Sequence, residues 1–208
     1  MLKNFGLYFI TDRALTKNNV IKDVKAAINA RVKIVQYREK ELDVKTMIEQ
    51  ATEIKKLCKE NNVLFLINDR VDIALSVDAD GVHLGENDVP YEYARKMLGK
   101  NKIIGLSAHT VEEALNNQKL GADYTSIGPI FYTATKKDSK APIGLEPIKE
   151  LKCRLQIPFV AIGGINKSNI DDVLKAGAKN IAMISAIIAK DDVKFSVKEF
   201  MDIINRAK

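Results

Sequence analysis

The chain holds only two cysteines in 208 residues, Cys58 and Cys153. They lie far apart and lack metal-ligand spacing, so neither a disulfide framework nor a zinc site is expected. Both fall in predicted helices beside apolar neighbours and read as packing or surface thiols. No apolar run approaches the roughly 20 residues that span a bilayer, and no signal-peptide pattern opens the chain. A cytoplasmic protein with no membrane partner is the expectation. No Gly-x-Gly-x-x-Gly follows the first strand, which argues against dinucleotide binding. Clustered basic residues with interleaved aromatics are missing as well. The net charge of +6 is spread over helix faces at Lys22, Lys25, Lys55, Lys56 and Lys59, a pattern that disfavours nucleic acid. Anionic small substrates account for the balance equally well.

What the chain does contain is ordinary globular composition, 46% hydrophobic and 29% charged, enough to bury a substantial core. No low-complexity linker divides it, and one domain over residues 1–208 is expected. Apolar, β-branched runs at 7–11, 32–37, 63–67, 80–84, 103–107, 123–128, 157–162 and 180–184 alternate with helical patterns. In 43–61, for example, Met47, Ile48, Ala51, Ile54, Leu57 and Cys58 recur at helical spacing. Gly121 is expected to stop a helix over 111–120 and Gly177 one over 166–176, while Pro90 reads as a first-turn residue with Asp88 nearby. Eight strand-helix repeats predict parallel strands in a single-domain (β/α)8 TIM barrel of the α/β class. The longest connection, 129–145, is polar and lysine-rich and is the expected lid.

A barrel gathers the carboxyl ends of its strands at one mouth, so the residues there can be read together. The second strand ends in Gln36, Arg38 and Lys40, which alternation sends to one side. Arg38 and Lys40 suit phosphate oxygens and Gln36 lies deeper; a plain surface charge cluster with Glu39 and Glu41 is the alternative. Asn68-Asp69 and Asp88 follow the next two strands. Two carboxylates at a cationic mouth suit Mg²⁺, which takes one or two carboxylates, waters and substrate phosphate oxygens. Read singly, each could instead be a helix cap. His83 could hydrogen-bond a heterocycle, His109 reads as structural, and Ser107 as a pocket donor, not a nucleophile. Thr133, Thr135 and Lys136 could meet an anion as their loop closes. Gly163-Gly164 and Ile184-Ser185 follow strands seven and eight, where barrels commonly bind phosphate.

With these residues in view, the chain resembles the thiamine-phosphate synthase family nearly end to end. The marks are Tyr8-Phe9-Ile10-Thr11-Asp12, Gln36-Tyr37-Arg38-Glu39-Lys40, Asn68-Asp69, Gly81-Val82-His83-Leu84-Gly85, Asp88, Gly105-Leu106-Ser107-Ala108-His109, Thr133-Ala134-Thr135-Lys136, Ala161-Ile162-Gly163-Gly164-Ile165 and Ile184-Ser185-Ala186-Ile187. The resemblance implies a Mg²⁺-dependent transferase of thiamine biosynthesis. It would join a hydroxymethylpyrimidine diphosphate to a hydroxyethylthiazole phosphate, releasing pyrophosphate. It further implies Asp69 and Asp88 on the metal, with Arg38, Lys40, Asn68 and Lys136 on the pyrophosphate. Gln36, His83 and Ser107 would contact the pyrimidine; Thr133, Thr135, Gly164, Ile184 and Ser185 would form the thiazole-phosphate pocket. Arg38, Lys40, Lys136 and Ser107 would thus carry the catalytic work. Two departures stand out: Ala30-Arg31 where similar proteins usually have Gly-Gly, and Tyr132 where they often have Pro. The alternatives are a related thiazole tautomerase, which needs no diphosphate site, and a non-catalytic phosphate-ligand binding barrel. A homo-oligomer is left open.

Overall fold

The structure, a computed structural model, describes residues 4–135 and 140–207. Its strands are β1 (Leu7–Ile10), β2 (Ile34–Tyr37), β3 (Leu64–Asn68), β4 (Gly81–Leu84), β5 (Ile103–Ala108), β6 (Tyr124–Ile127), β7 (Phe159–Ile162) and β8 (Ile181–Met183). The helices between and after them are α1 (Val20–Asn29), α2 (Val44–Glu60), α3 (Val71–Ser76), α4 (Tyr91–Leu98), α5 (Val111–Leu120), α6 (Glu146–Arg154), α7 (Ile170–Ala176), α8 (Ser185–Ile188) and α9 (Val193–Arg206). Every strand pairs in parallel with its sequence neighbour, and β1 closes on β8 with Leu7 opposite Ile181 and Phe9 opposite Met183. The result is the expected (β/α)8 barrel.

In four of the described helices an apolar stripe coincides with a side-chain cap. α2 buries Met47, Ala51, Ile54 and Cys58 along one face, and the Asp43 carboxylate at its N-cap accepts from Thr46 N at 3.0 Å. Asn19, Thr110 and Asp192 cap α1, α5 and α9 in the same way. On the strands, Phe9, Val35, Phe65, Val82 and Ile104 are fully buried, packing under the helices. Alternation leaves Tyr8, Gln36, His83, Ser107 and Ser126 for the barrel interior.

At the floor, side chains just before three even-numbered strands fix the ladder. Asp80 accepts from Phe65 N at 2.8 Å, Asp123 from Ile104 N at 2.8 Å, and Asn180 from Gly6 N at 3.2 Å. The last of these joins the chain's first strand to its eighth, because Ile181 N also donates to Gly6 O at 2.8 Å.

Three local expectations are corrected. Val32 and Val63 lie outside the strands because their amides donate back to Ala27 O and Cys58 O at the ends of the preceding helices. The helix expected over 166–176 begins at Ile170: Asn166 Oδ1 accepts from Ser168 N at 2.8 Å and Asn169 Oδ1 from Asn166 N at 2.8 Å, so side chains take the amides that a helix would need. Pro90 is the N-cap of α4 and not a first-turn residue, and Asp88 turns to the loop instead of the helix. Among the described residues, no helix is long and apolar enough to cross a membrane.

Candidate active site

The carboxyl ends of the strands surround a cavity of about 330 Å³. Gln36, Arg38, Lys40, Asn68, Asp69, His83, Asp88, Ser107, Thr133, Thr135, Gly164, Ile184 and Ser185 all line it. Of the expected site residues, only Lys136 lies outside the described residues.

On one wall the loop after β2 is tied down from below. Thr11 Oγ1 accepts from Arg38 N at 3.0 Å, and the Asp12 carboxylate, itself buried, pairs with the Arg38 guanidinium. Arg38 Nε is buried with no hydrogen-bond partner among the described residues, an orphan donor of the kind an anion would satisfy. Glu39 is not a balancing surface charge. Its Oε1 accepts from the amides of Lys40, Glu41 and Leu42 at 2.8, 2.7 and 3.2 Å, fixing the turn that presents Lys40.

Lys40 pairs with Asp69, whose own amide donates to His83 O at 2.8 Å. Asp69 holds a left-handed backbone, φ 61°, which turns its carboxyl into the mouth. There it meets Asp88, whose Oδ2 accepts from Gly85 N at 2.7 Å. Neither aspartate is a helix cap, since α3 starts after Arg70 and α4 after Pro90. Burial and the neighbouring Asp69 push the Asp88 carboxyl up. At Asp69 burial acts in the same sense, but hydrogen bonds from Asp88 and Lys40 outweigh it and hold that carboxyl down. Like charges this close cannot both ionise without a counter-charge. Among the described residues no cluster of three or more His, Cys, Asp or Glu could hold a metal. A two-carboxylate donor set fits a hard cation that keeps its waters and takes phosphate oxygens, so Asp69 and Asp88 fit Mg²⁺.

The deeper wall carries no carboxylate, lysine or arginine. Gln36, Tyr8, Tyr124 and His83 form a hydrogen-bonded line ending at Ser107 and Ser126. His83 also stacks on the Tyr124 ring, centroids 5.5 Å apart. His109 Nδ1 lies 2.6 Å from Gly128 O, in keeping with a structural role.

The third wall joins the loop after β6 to β7 and β8. Thr135 Oγ1 donates to Ser185 Oγ at 3.2 Å, and Phe131 N to Gly163 O at 3.0 Å. Gly163 and Gly164 have φ of 100° and 66°, and a Cβ on Gly164 would lie 2.4 Å from Tyr132 O. Glycine is required there by both backbone conformation and the passing loop. Lys140, from the same connection, pairs with Glu86 at 2.8 Å across the mouth.

Sequence reasoning did not single out Tyr8, Asp12, Tyr124, Ser126 or Lys140 as site residues. Tyr124 and Ser126 share the inward parity of Ser107's neighbouring strand, and that parity was the available signal.

Comparison with known proteins agrees along almost the whole chain. A family model described as thiamine monophosphate synthase matches residues 7–187. The chain is 49% identical over all its 208 residues to a thiamine-phosphate synthase of Methanosarcina barkeri, covering 94% of that protein. It is 46% identical to that of Clostridium novyi, with 96% of this chain and 98% of the relative covered. A solved thiamine phosphate pyrophosphorylase from Pyrococcus furiosus superposes with a TM-score of 0.90 at 40% identity, covering 98% of this chain and 96% of the other. The chain belongs to the thiamine monophosphate synthase family and is, like its relatives, a transferase.

Proposed function

We propose that the chain makes thiamine phosphate by coupling 4-amino-2-methyl-5-hydroxymethylpyrimidine diphosphate to 4-methyl-5-(2-hydroxyethyl)thiazole phosphate. The observation that carries this reading is the Asp69–Asp88 carboxyl pair set beside Arg38 and Lys40 at the cavity mouth. A tautomerase acting on a monophosphate has no use for such a diphosphate site.

Arg38, Lys40, Asn68 and Lys136 bind the diphosphate, the orphaned Arg38 Nε among the donors. Mg²⁺ held by Asp69 and Asp88 would supply positive charge against the diphosphate oxygens. Gln36, His83 and Ser107 hold the pyrimidine ring in the deeper wall. Thr133, Thr135, Gly164, Ile184 and Ser185 seat the thiazole phosphate opposite it. The pyrimidine methylene carbon–oxygen bond breaks with the electron pair leaving on pyrophosphate, and the thiazole nitrogen lone pair forms the new bond to that carbon. No protein nucleophile is required. The cationic wall stabilises the departing charge, and the two facing pockets align the rings.

The test is to supply purified protein with both substrates, with and without Mg²⁺, and measure pyrophosphate and thiamine phosphate together. Equal, Mg²⁺-dependent yields are expected. Thiazole-phosphate binding without coupling at saturating substrate would refute the synthase reading and favour the binding barrel; thiazole isomerisation would favour the tautomerase.

A further inference from the structure

The deeper wall of the cavity has a direction built into it. Gln36 Nε2 donates to the Tyr8 hydroxyl at 2.7 Å, Tyr8 meets the Tyr124 hydroxyl at 2.9 Å, and Tyr124 meets His83 Nδ1 at 2.9 Å. Beyond the imidazole, His83 Nε2 faces Ser107 Oγ at 3.1 Å and Ser126 Oγ at 3.4 Å. Both tyrosines are fully buried, and burial pushes both phenols above their ordinary range. Each therefore carries one proton and can donate once. The Tyr124 ring is locked, since it fills the space opposite Gly105, where a Cβ would lie 2.1 Å from it.

One proton per hydroxyl makes the line run one way. With Gln36 donating into Tyr8, the Tyr8 proton goes to Tyr124 and the Tyr124 proton to His83 Nδ1. The imidazole proton then sits on Nε2 and is donated to Ser107. Ser107 keeps its own proton for the cavity, while Gln36 keeps its carbonyl oxygen for it. Reversing one bond alone would leave two protons in one gap or none in another.

We propose that Tyr124, together with Tyr8, is a positioning residue that couples the orientation of the Gln36 carboxamide to the tautomer of His83. The cavity then offers an acceptor from β2 and a donor from β5 as one setting. That setting selects a heteroaromatic ring with an N–H donor, such as an exocyclic amine, on one edge and a bare ring nitrogen on another. A ring with those edges exchanged would require the whole line to reverse. The ligand identity rests on the substrate reading above; the proton order of the line does not.

The chain has two histidines, so ¹⁵N-histidine labelling gives a two-residue side-chain spectrum. His109 is the internal reference, because Gly128 O can only accept and so draws the proton to Nδ1. Recorded about two pH units above the ordinary imidazole value of about 6.5, His83 is expected as Nε2–H and His109 as Nδ1–H. Tyr124→Phe keeps the ring and removes the hydroxyl. It should shift His83 to a mixture of tautomers, leave His109 unchanged, and raise KM for the pyrimidine diphosphate roughly tenfold with KM for the thiazole phosphate unchanged. Tyr8→Phe breaks the line at its other joint and should give the same KM split. His83 found as Nδ1–H or as the cation in the native protein, or unmoved by Tyr124→Phe, overturns the coupling. The expected tautomers and shift in a protein that turns over neither substrate would uphold the coupling and refute the substrate reading alone.

Discussion

At Asp69 two choices that cost stability meet, one in its own backbone and one borne by its neighbour Asp88. Its left-handed backbone costs about 1–3 kcal/mol for a residue other than glycine, and its carboxyl is set against that of Asp88. Such conflicts persist where function needs them. Asp88→Asn keeps an acceptor for Gly85 N while removing the charge. By analogy with loss of one oxyanion donor, Mg²⁺-dependent turnover should fall about 10²–10³-fold. Calorimetry should find thiazole-phosphate affinity unchanged, because Thr133, Thr135 and Ser185 sit on the opposite wall. Equal loss of both would count against the metal assignment. The cysteines allow a second check at this scale. Burial, then the nearby Asp80, pushes the Cys58 thiol up to about 12, whereas Cys153 is exposed. A disulfide reagent at neutral pH should therefore titrate one thiol in the native protein and two after denaturation. Rapid reaction of both would mean that α2 does not cover Cys58.

Among the elements, the turn from α1 into β2 shows a departure with a measurable cost. Arg31 adopts φ 72° directly after the helix end at Ala30, a position that favours glycine. Arg31→Gly should stabilise the protein by about 1 kcal/mol net of the extra freedom of the unfolded chain, raising Tm by about 2–4 °C. A lower Tm would show that the Arg31 side chain contributes more than its backbone costs. Element order was legible in the sequence because each strand run and helix stripe has its own period. Element ends were less so, since the amides of Val32 and Val63 are claimed by the preceding helices and those at 166–169 by Asn side chains. The charged and polar site residues stood out because they interrupt apolar runs. Tyr8 and Tyr124 did not, because an aromatic in a strand reads as core until the hydroxyls of two distant strands are found in contact. Asp12 was hidden for a related reason: its partner Arg38 is 26 residues away.

For the molecule as a whole, the positive balance of +6 and two anionic substrates predict a salt dependence. Raising ionic strength from about 0.02 to about 0.2 M should lower kcat/KM several-fold while leaving kcat nearly constant, as screening weakens capture and not chemistry. A flat profile would mean that capture owes nothing to long-range charge. Chelation of Mg²⁺ should abolish turnover and leave the unfolding transition in place, because two carboxylates at the mouth contribute little to a core built under the surrounding helices. Loss of structure on chelation would instead make the ion structural. The closure of β1 on β8, pinned by Asn180 and Ile181 against Gly6, has a consequence for how the protein tolerates damage. A closed sheet has no edges, whereas removing or unzipping β1 would create two at once, on β2 and on β8, both rich in unpaired backbone donors and acceptors. Injury to the first strand would thus be felt less as a missing piece than as a surface that recruits other chains.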